Sequence, residues 1–333
     1  MTARHTLALA MTLSVLVPPI LASKKDAEAA ALIDRAKQLS SIRADGAPAF
    51  RMKVSFKSIK PDRSELEGTY TETWVSKAQW RRETVLGGFH RIQVVAGRKR
   101  WQLDNSPIVP QPLPDIGSLS EIDRQGKDGW KPRKLSEKEV KHLNVRCLDT
   151  DPDPRGARSA LCFDENNGLL VAEVEPWEMG TQIKDKSCFF ADYQKFADRL
   201  VARSYECDED KRPSLEAKMV ELIAEPTPDP ALFAPLQGAK ESVNCLGKVE
   251  APQVARPADL MAPAHFHGKA LVVVELTVGS DGKSVDPRIT SPPNPDLDRR
   301  SLEAVGRTRF HPATCDGEPM PVEIGFEIGF SIP

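Results

Sequence analysis

The last strand-like segment constrains the fold more than any other stretch of the chain. From Val322 to Ile332 every second residue is apolar: Val322, Ile324, Phe326, Ile328, Phe330 and Ile332. Glu323, Gly325, Glu327, Gly329 and Ser331 fill the alternate positions. Side chains of a strand point to opposite faces in turn, so this pattern demands a strand with one face on a core and one toward water. Such a strand needs partners, and they stand just upstream. The apolar run Leu271–Val278 ends in Gly279-Ser280-Asp281-Gly282, a hairpin signal, and Lys283–Thr290 reads as the return strand. Asn294 is placed to cap a helix with Pro295 at its first position and acids in its first turn. That helix sets Leu297, Ser301, Ala304 and Val305 on one face. The order is β-β-α-β.

Three motifs accompany this order: Asp281-Gly282, Arg309-Phe310-His311-Pro312-Ala313, and Asp316-Gly317-Glu318-Pro319-Met320-Pro321-Val322. Together they resemble the TonB C-terminal domain family. Two departures stand out. Thr308 occupies the place of a usual aromatic, and Met261-Ala262-Pro263 stands near the place of a usual Tyr-Pro. The resemblance implies a partner-binding module with no chemistry of its own. In the family the last strand pairs with a short peptide of an outer-membrane receptor, by main-chain hydrogen bonds along a sheet edge. The matching positions are Val322, Glu323, Ile324, Gly325, Phe326, Glu327 and Ile328. Two readings of Glu323 and Glu327 stand side by side: they favour a basic partner segment, or they keep a sheet edge soluble. A long Pro-Lys/Pro-Glu spacer and a convincing membrane anchor are missing, which argues for binding rather than energy transduction.

At 333 residues the chain has room for two or three domains. Its net charge of −2 gives no reason to expect nucleic acid as a partner. Arg4 and His5 precede an apolar run, Thr6–Val17; Pro18-Pro19 breaks it, and Ala22-Ser23 offers small residues for cleavage. Residues 1–23 therefore read as a cleaved export signal leading to the periplasm, with an uncleaved inner-membrane anchor as the alternative. Export bears on the six cysteines, Cys147, Cys162, Cys188, Cys207, Cys245 and Cys315, an even number suited to an oxidising compartment. Cys147 and Cys162 lie on strand-like runs either side of a Pro/Gly/Asp loop. Cys188 and Cys207 flank Phe189–Leu200, and Cys245 and Cys315 both belong to the C-terminal unit. Sequential pairing, 147–162, 188–207 and 245–315, is the expectation.

Between the signal and the C-terminal unit the chain reads as a helix, Asp26–Ser40, then an antiparallel meander. Phe50–Phe56 alternates perfectly, and Glu65–Ser76 places Leu66, Tyr70 and Trp74 on one face. Gln79–Leu86, Phe89–Val95 and Arg98–Leu103 follow across tight turns, and a short helix is expected over Asp115–Asp123. Further strands are expected at Leu143–Leu148, Ser159–Phe163, Leu169–Val174, Cys188–Phe190, Leu200–Tyr205 and Leu215–Ile223. The early helix, the five-strand run, Cys162–Glu175, Phe190-Ala191-Asp192-Tyr193 and Pro228–Gly238 together resemble the LolA/LolB-like half-barrel family of periplasmic lipoprotein carriers. That resemblance implies a curved apolar cradle for acyl chains under a helical lid. Phe50, Met52, Val54, Phe56, Tyr70, Trp74, Trp80, Ile92, Val94 and Trp101 are then the candidate lining. The alternative is that they form a closed core beneath the helices.

The expected class is α+β: an N-terminal half-barrel over 24–238, a Pro-rich linker over 239–262, and a TonB-like ββαβ domain over 263–333. The 28 prolines cluster at Pro107–Pro114, Pro226–Pro235 and Pro252–Pro263. The chain lacks G-x-S-x-G, H-E-x-x-H, G-x-x-x-x-G-K-[ST] and G-x-G-x-x-G. His265 and His267 offer two imidazoles without a third ligand nearby. The expectation is a non-enzymatic periplasmic protein with no cofactor or metal. Its partner is an outer-membrane or envelope protein, in a role accessory to TonB-dependent transport. Carriage of a lipid or a lipoprotein acyl chain is the alternative.

Overall fold

The computed structural model describes residues 24–60, 62–107, 109–110, 116–119, 132–150, 159–179, 182–258, 268–290 and 294–332. The expected signal, His265, His267 and most of the Asp115–Asp123 segment lie outside them.

Helix α1, Lys24–Ser40, opens the described chain. Five strands follow in a meander: β1 Phe50–Ile59, β2 Glu65–Ser76, β3 Gln79–Leu86, β4 Phe89–Ala96 and β5 Lys99–Asp104. A four-residue helix, α2 Ile116–Leu119, leads to β6 Pro132–Val140, β7 Leu143–Thr150, β8 Ala160–Asp164, β9 Leu170–Met179 and β10 Gln182–Ala191. A small hairpin, β11 Gln194–Phe196 and β12 Arg199–Val201, precedes β13 Ser204–Glu209 and β14 Arg212–Ala224. After a 3-10 turn at Pro230–Phe233 comes β15 Lys240–Val243. These strands form one open 13-stranded sheet in the order β15-β5-β4-β3-β2-β1-β14-β13-β10-β9-β8-β7-β6, with β11-β12 apart from it. The long β14 joins the two meanders by pairing with β1 on one side and β13 on the other.

Period-two alternation makes the inner face. Phe50, Met52, Val54 and Phe56 of β1 are at most 2% exposed, while Arg51, Lys53 and Ser55 between them face out. The core continues across the sheet through Tyr70, Trp74, Leu86, Tyr205, Phe190 and Phe163. Ala29 and Ala36 of α1, with Ile42, Ile116 and Phe196, cover this face. Gly68 lies opposite Phe56, and a Cβ there would sit 2.3 Å from the ring, so glycine makes the space that the aromatic fills.

The C-terminal unit is built from β16 Val249–Glu250, β17 Gln253–Arg256, β18 Gly268–Val278, β19 Ser284–Ile289, α3 Pro295–Arg307, β20 Arg309–His311, β21 Ala313–Cys315, β22 Glu318–Met320 and β23 Val322–Ile332. Its main sheet has the order β19-β18-β23, all antiparallel. Val272, Val274, Leu276 and Val278 pack with Leu297 and Val305 of α3 and with Phe310, Ile328 and Phe330. The expected helix face is the buried one: Leu297, Ser301, Ala304 and Val305. Three short strands stand between α3 and β23, where the sequence pattern suggests none.

The segment 239–262 differs from the expected linker. Its β15 extends the N-terminal sheet beyond β5, β16 pairs with β21, and β17 pairs with β20. Short polar stretches rich in proline lack an apolar period, so nothing in their sequence announces a strand; main-chain pairing to neighbouring edges makes them one. Strand β6 escapes the sequence pattern for the same reason, since Lys134, Glu137, Lys138 and Glu139 dominate it.

Candidate partner-binding edge and interdomain seam

Strand β23 bonds to β18 over its full length, from Val322 opposite Val278 to Ile332 opposite Gly268. Among the described residues no strand pairs with its other side. Its residues divide as the alternation requires. Val322, Ile324 and Phe326 pack against the module core, Phe326 edge-on to Phe310 at 5.9 Å, and Ile328 is buried. Gly325, Glu327 and Gly329 are exposed. The seven candidate positions Val322–Ile328 are thus contiguous on an edge strand.

The first part of that edge is not open. Five consecutive residues, Pro321–Gly325, line a cavity of about 210 Å³ with Ser242 and Val243 of β15 and with Arg91, Gln93, Arg100, Gln102, Lys240 and Glu275. Consecutive strand residues point to opposite faces, so a cavity bordered by five in a row meets the strand edge-on. β15 is the outermost strand of its own sheet. Two unpaired edges therefore meet across one seam. Cross-strand register places Arg100, Gln102, Gln93 and Arg91 on the inner face of the N-terminal sheet, so the module covers the polar end of the face whose apolar end is covered by α1.

A chain of alternating charges crosses the seam. Arg91 bonds both oxygens of Asp104, at 2.9 and 2.7 Å, and lies 3.9 Å from Glu275. Glu275 holds Arg288 at 2.6 Å, Arg288 reaches Glu323 at 3.2 Å, and Glu323 accepts from Lys240 at 3.0 Å. Burial opposes the charge on Arg91 and on Arg288. The carboxylates beside them outweigh it and hold both guanidiniums above their ordinary pKa. Glu323 is thus engaged within the chain, with Lys240 and Arg288, which weighs against the first of its two readings, that it meets a basic partner.

The covalent tether is short. Asn244 belongs to the N-terminal sheet: its N–H donates to Arg98 O at 2.8 Å, and its side-chain amide donates to Gly97 O at 2.9 Å. The next residue, Cys245, is bonded to Cys315 in the module. The other two disulfides also pair as expected. Cys147–Cys162 and Cys188–Cys207 each join directly opposite residues of adjacent strands.

The cradle candidates divide between two faces. Phe50, Met52, Val54, Phe56, Tyr70 and Trp74 are buried in the inner core, and Trp80 packs against it. Ile92, Val94 and Trp101 face the other way, beneath Phe233 and Leu236. They pair in register with outward positions of β3 and β5, so one common lining for all ten is excluded. The β4 run Ile-Gln-Val-Val breaks simple alternation and conceals which face is inner.

Sequence reasoning missed a buried polar group on the inner face. The Glu72 carboxylate accepts from Arg43 Nε at 3.1 Å and from Arg43 Nη2, from Arg82 Nε at 3.0 Å, and from the Tyr70 hydroxyl at 2.9 Å. Burial works against its ionisation, yet the charges of Arg43 and Arg82 hold its pKa at about 2. Burial and the adjacent carboxylate push the Tyr70 hydroxyl well above its usual value, so it stays a donor. Arg82 also lies over the Trp80 ring at 4.5 Å. The signal is present in the sequence: Glu72 has the same parity as Tyr70 and Trp74.

Among the described residues no group of three or more His, Cys, Asp or Glu side chains is arranged to hold a metal ion. None of their helices is long and apolar enough to cross a membrane.

The architecture defines a mostly-β protein of open sheets with a small module docked on one end. Comparison with known proteins places that module. Residues 268–332 match the family described as the Gram-negative bacterial TonB protein C-terminal. No curated protein sequence matches the chain. Structural neighbours are LolA-superfamily and DUF1329-family domains. A putative outer membrane lipoprotein-sorting protein domain from Vibrio parahaemolyticus is 14% identical, with a TM-score of 0.42 over 63% of this chain and 96% of that one. The LolA superfamily protein NE2245 from Nitrosomonas europaea is 13% identical, with a TM-score of 0.42 over 62% and 97%. A DUF1329 family protein from Desulfovibrio piger is 12% identical, with a TM-score of 0.41 over 62% and 96%.

Proposed function

We propose that this chain is an exported, non-enzymatic binding protein of the bacterial envelope. Its C-terminal module takes an extended segment of an envelope or outer-membrane partner as an added strand, in a role accessory to TonB-dependent transport. The observation that carries the reading is β23, paired on one side only and continuous for eleven residues. An edge of that length supplies regularly spaced main-chain donors and acceptors, and Gly325 and Gly329 leave little side-chain bulk beside them. The family match over the same residues supports it. Three disulfides and no free cysteine among the described residues suit an oxidising compartment. Carriage of a lipid on the N-terminal sheet finds less support, because Phe50, Met52 and Val54 already pack under α1 and its neighbours.

The test is site-specific photocrosslinking in intact envelopes. A crosslinker replaces Glu327 in one strain and Val220, exposed on the distant β14, in another. The expected result is a defined adduct from position 327 alone, mapping to an extended segment of one envelope protein. Gly325→Pro should abolish it with the circular dichroism spectrum unchanged. Adducts of equal yield from both positions, or an adduct that survives the proline, would rule the mechanism out.

A further inference from the structure

The seam does more than join two units. The edge at Val322–Gly325 lies against β15, whereas Phe326 and the residues after it lie beyond the cavity lining. A strand cannot be added along an edge that faces another strand across so narrow a gap. The partners that shut it are the alternating charges Asp104, Arg91, Glu275, Arg288, Glu323 and Lys240, none of them deeply buried and three of them more than 20% exposed at the side chain. Such pairs hold surfaces together weakly and are screened by salt. The arrangement is kept by nearness. Asn244 is fixed to one unit and Cys245 is bonded to the other, so the module stays at high effective concentration above the N-terminal sheet.

We propose that this contact is a reversible autoinhibitory closure. The N-terminal sheet, through β15 and the charges beside it, covers the first four residues of the partner-binding edge, Val322–Gly325. Opening about the Asn244–Cys245 joint uncovers it and exposes the polar end of the inner face at the same time. The Cys245–Cys315 bond sets how far the balance favours the closed form. Without it the joint lengthens through Leu246 and Gly247, as far as Lys248, whose N–H is held by Asp316 in the module. The consequence for peptide capture rests on the proposed function; the closure itself does not.

Hydrogen–deuterium exchange of the full-length protein tests the closure without any partner. The segments to follow are Pro321–Gly325 and Ser242–Asn244 at the seam, with Leu271–Val278 in the module interior as reference. Lys240→Glu sets two carboxylates against each other at Glu323 and should raise exchange at both seam segments roughly fivefold, the scale of one partly exposed ion pair. The unaltered protein in about 1 M salt, where screening reaches within about 3 Å, should move the same way. A protein with Cys245→Ser and Cys315→Ser should show the larger rise. Leu271–Val278 should keep its protection in the Lys240→Glu and salt arms. Unchanged seam exchange in both of those arms would overturn the proposal. So would a rise that Leu271–Val278 shares equally, since that reports unfolding of the module. Opening seen by exchange together with failure of the position-327 crosslink would refute the peptide-binding reading and leave the closure standing.

Discussion

Glu72 shows how a single charged residue is decided by its surroundings. Two guanidiniums and a tyrosine hydroxyl satisfy its carboxylate within the inner face, and its pKa falls to about 2 against the pull of burial. Alternation along β2 already places it inward; the habit of assigning charge to water conceals it. Removing one member of such a cluster leaves its partners buried without a counter-charge. Glu72→Gln should therefore destabilise the fold by about 3 kcal/mol at pH 7, read from urea midpoints. The pH dependence has a definite sign. The folded pKa lies below the unfolded value of about 4.3, so the contribution is complete above that value and is lost as pH falls through about 2. Between pH 5 and pH 2 the parent should lose more stability than the variant, and above pH 5 the gap between them should be flat. Gly282 makes a second case. It turns the β18–β19 hairpin at φ +73°, and a Cβ there would lie 2.1 Å from Phe310 O. Gly282→Ala meets strain and a backbone clash together, and should cost about 1–3 kcal/mol in module stability. An unchanged melting profile would show that the turn relaxes.

At the scale of elements, legibility follows from periodicity. β2 and β23 begin and end where the alternation does, β3 runs between its flanking turns, and both cross-strand disulfides follow from strand runs that flank a loop. Helix α3 is marked by its cap. The Asn294 side chain accepts from Leu297 N, and Asp298 reaches back to the Asn294 N–H at 2.8 Å. Asn294→Ala should lower module stability by about 1 kcal/mol, measured as a shift in its denaturant midpoint. A neutral result would mean that Pro295 and Asp298 alone define this end. The elements that could not be read, β6, β15 to β17 and β20 to β22, are too polar or too short to carry an apolar period. β15, β16 and β17 bond to strands far away in sequence, which only tertiary pairing reveals, whereas β6 bonds to its hairpin neighbour β7 and is hidden by its charged residues.

At the scale of the whole molecule, sequence patterns describe two cores but not how they meet. The seam is made of charged residues spread from Arg91 to Glu323, each of which passes for solvated surface in its own neighbourhood. The cysteine pair Cys245–Cys315 hints at the meeting point, and its removal offers a clean separation of the two units. The bond closes a 70-residue loop that encloses the module from β16 to β21, and the chain-entropy account gives it about 4 kcal/mol. That loss falls on the module, because the N-terminal core of Phe50, Trp74 and Tyr205 contains neither cysteine. All five tryptophans, Trp74, Trp80, Trp101, Trp130 and Trp177, lie before residue 239, so tryptophan fluorescence reports the N-terminal unit while far-ultraviolet circular dichroism reports both. In a protein with Cys245→Ser and Cys315→Ser, the dichroism should begin its thermal transition well before the fluorescence does. In the parent the two curves should lie closer together. If the two signals still move as one in the variant, the units fold as a single cooperative body and the seam is a structural interface rather than a joint.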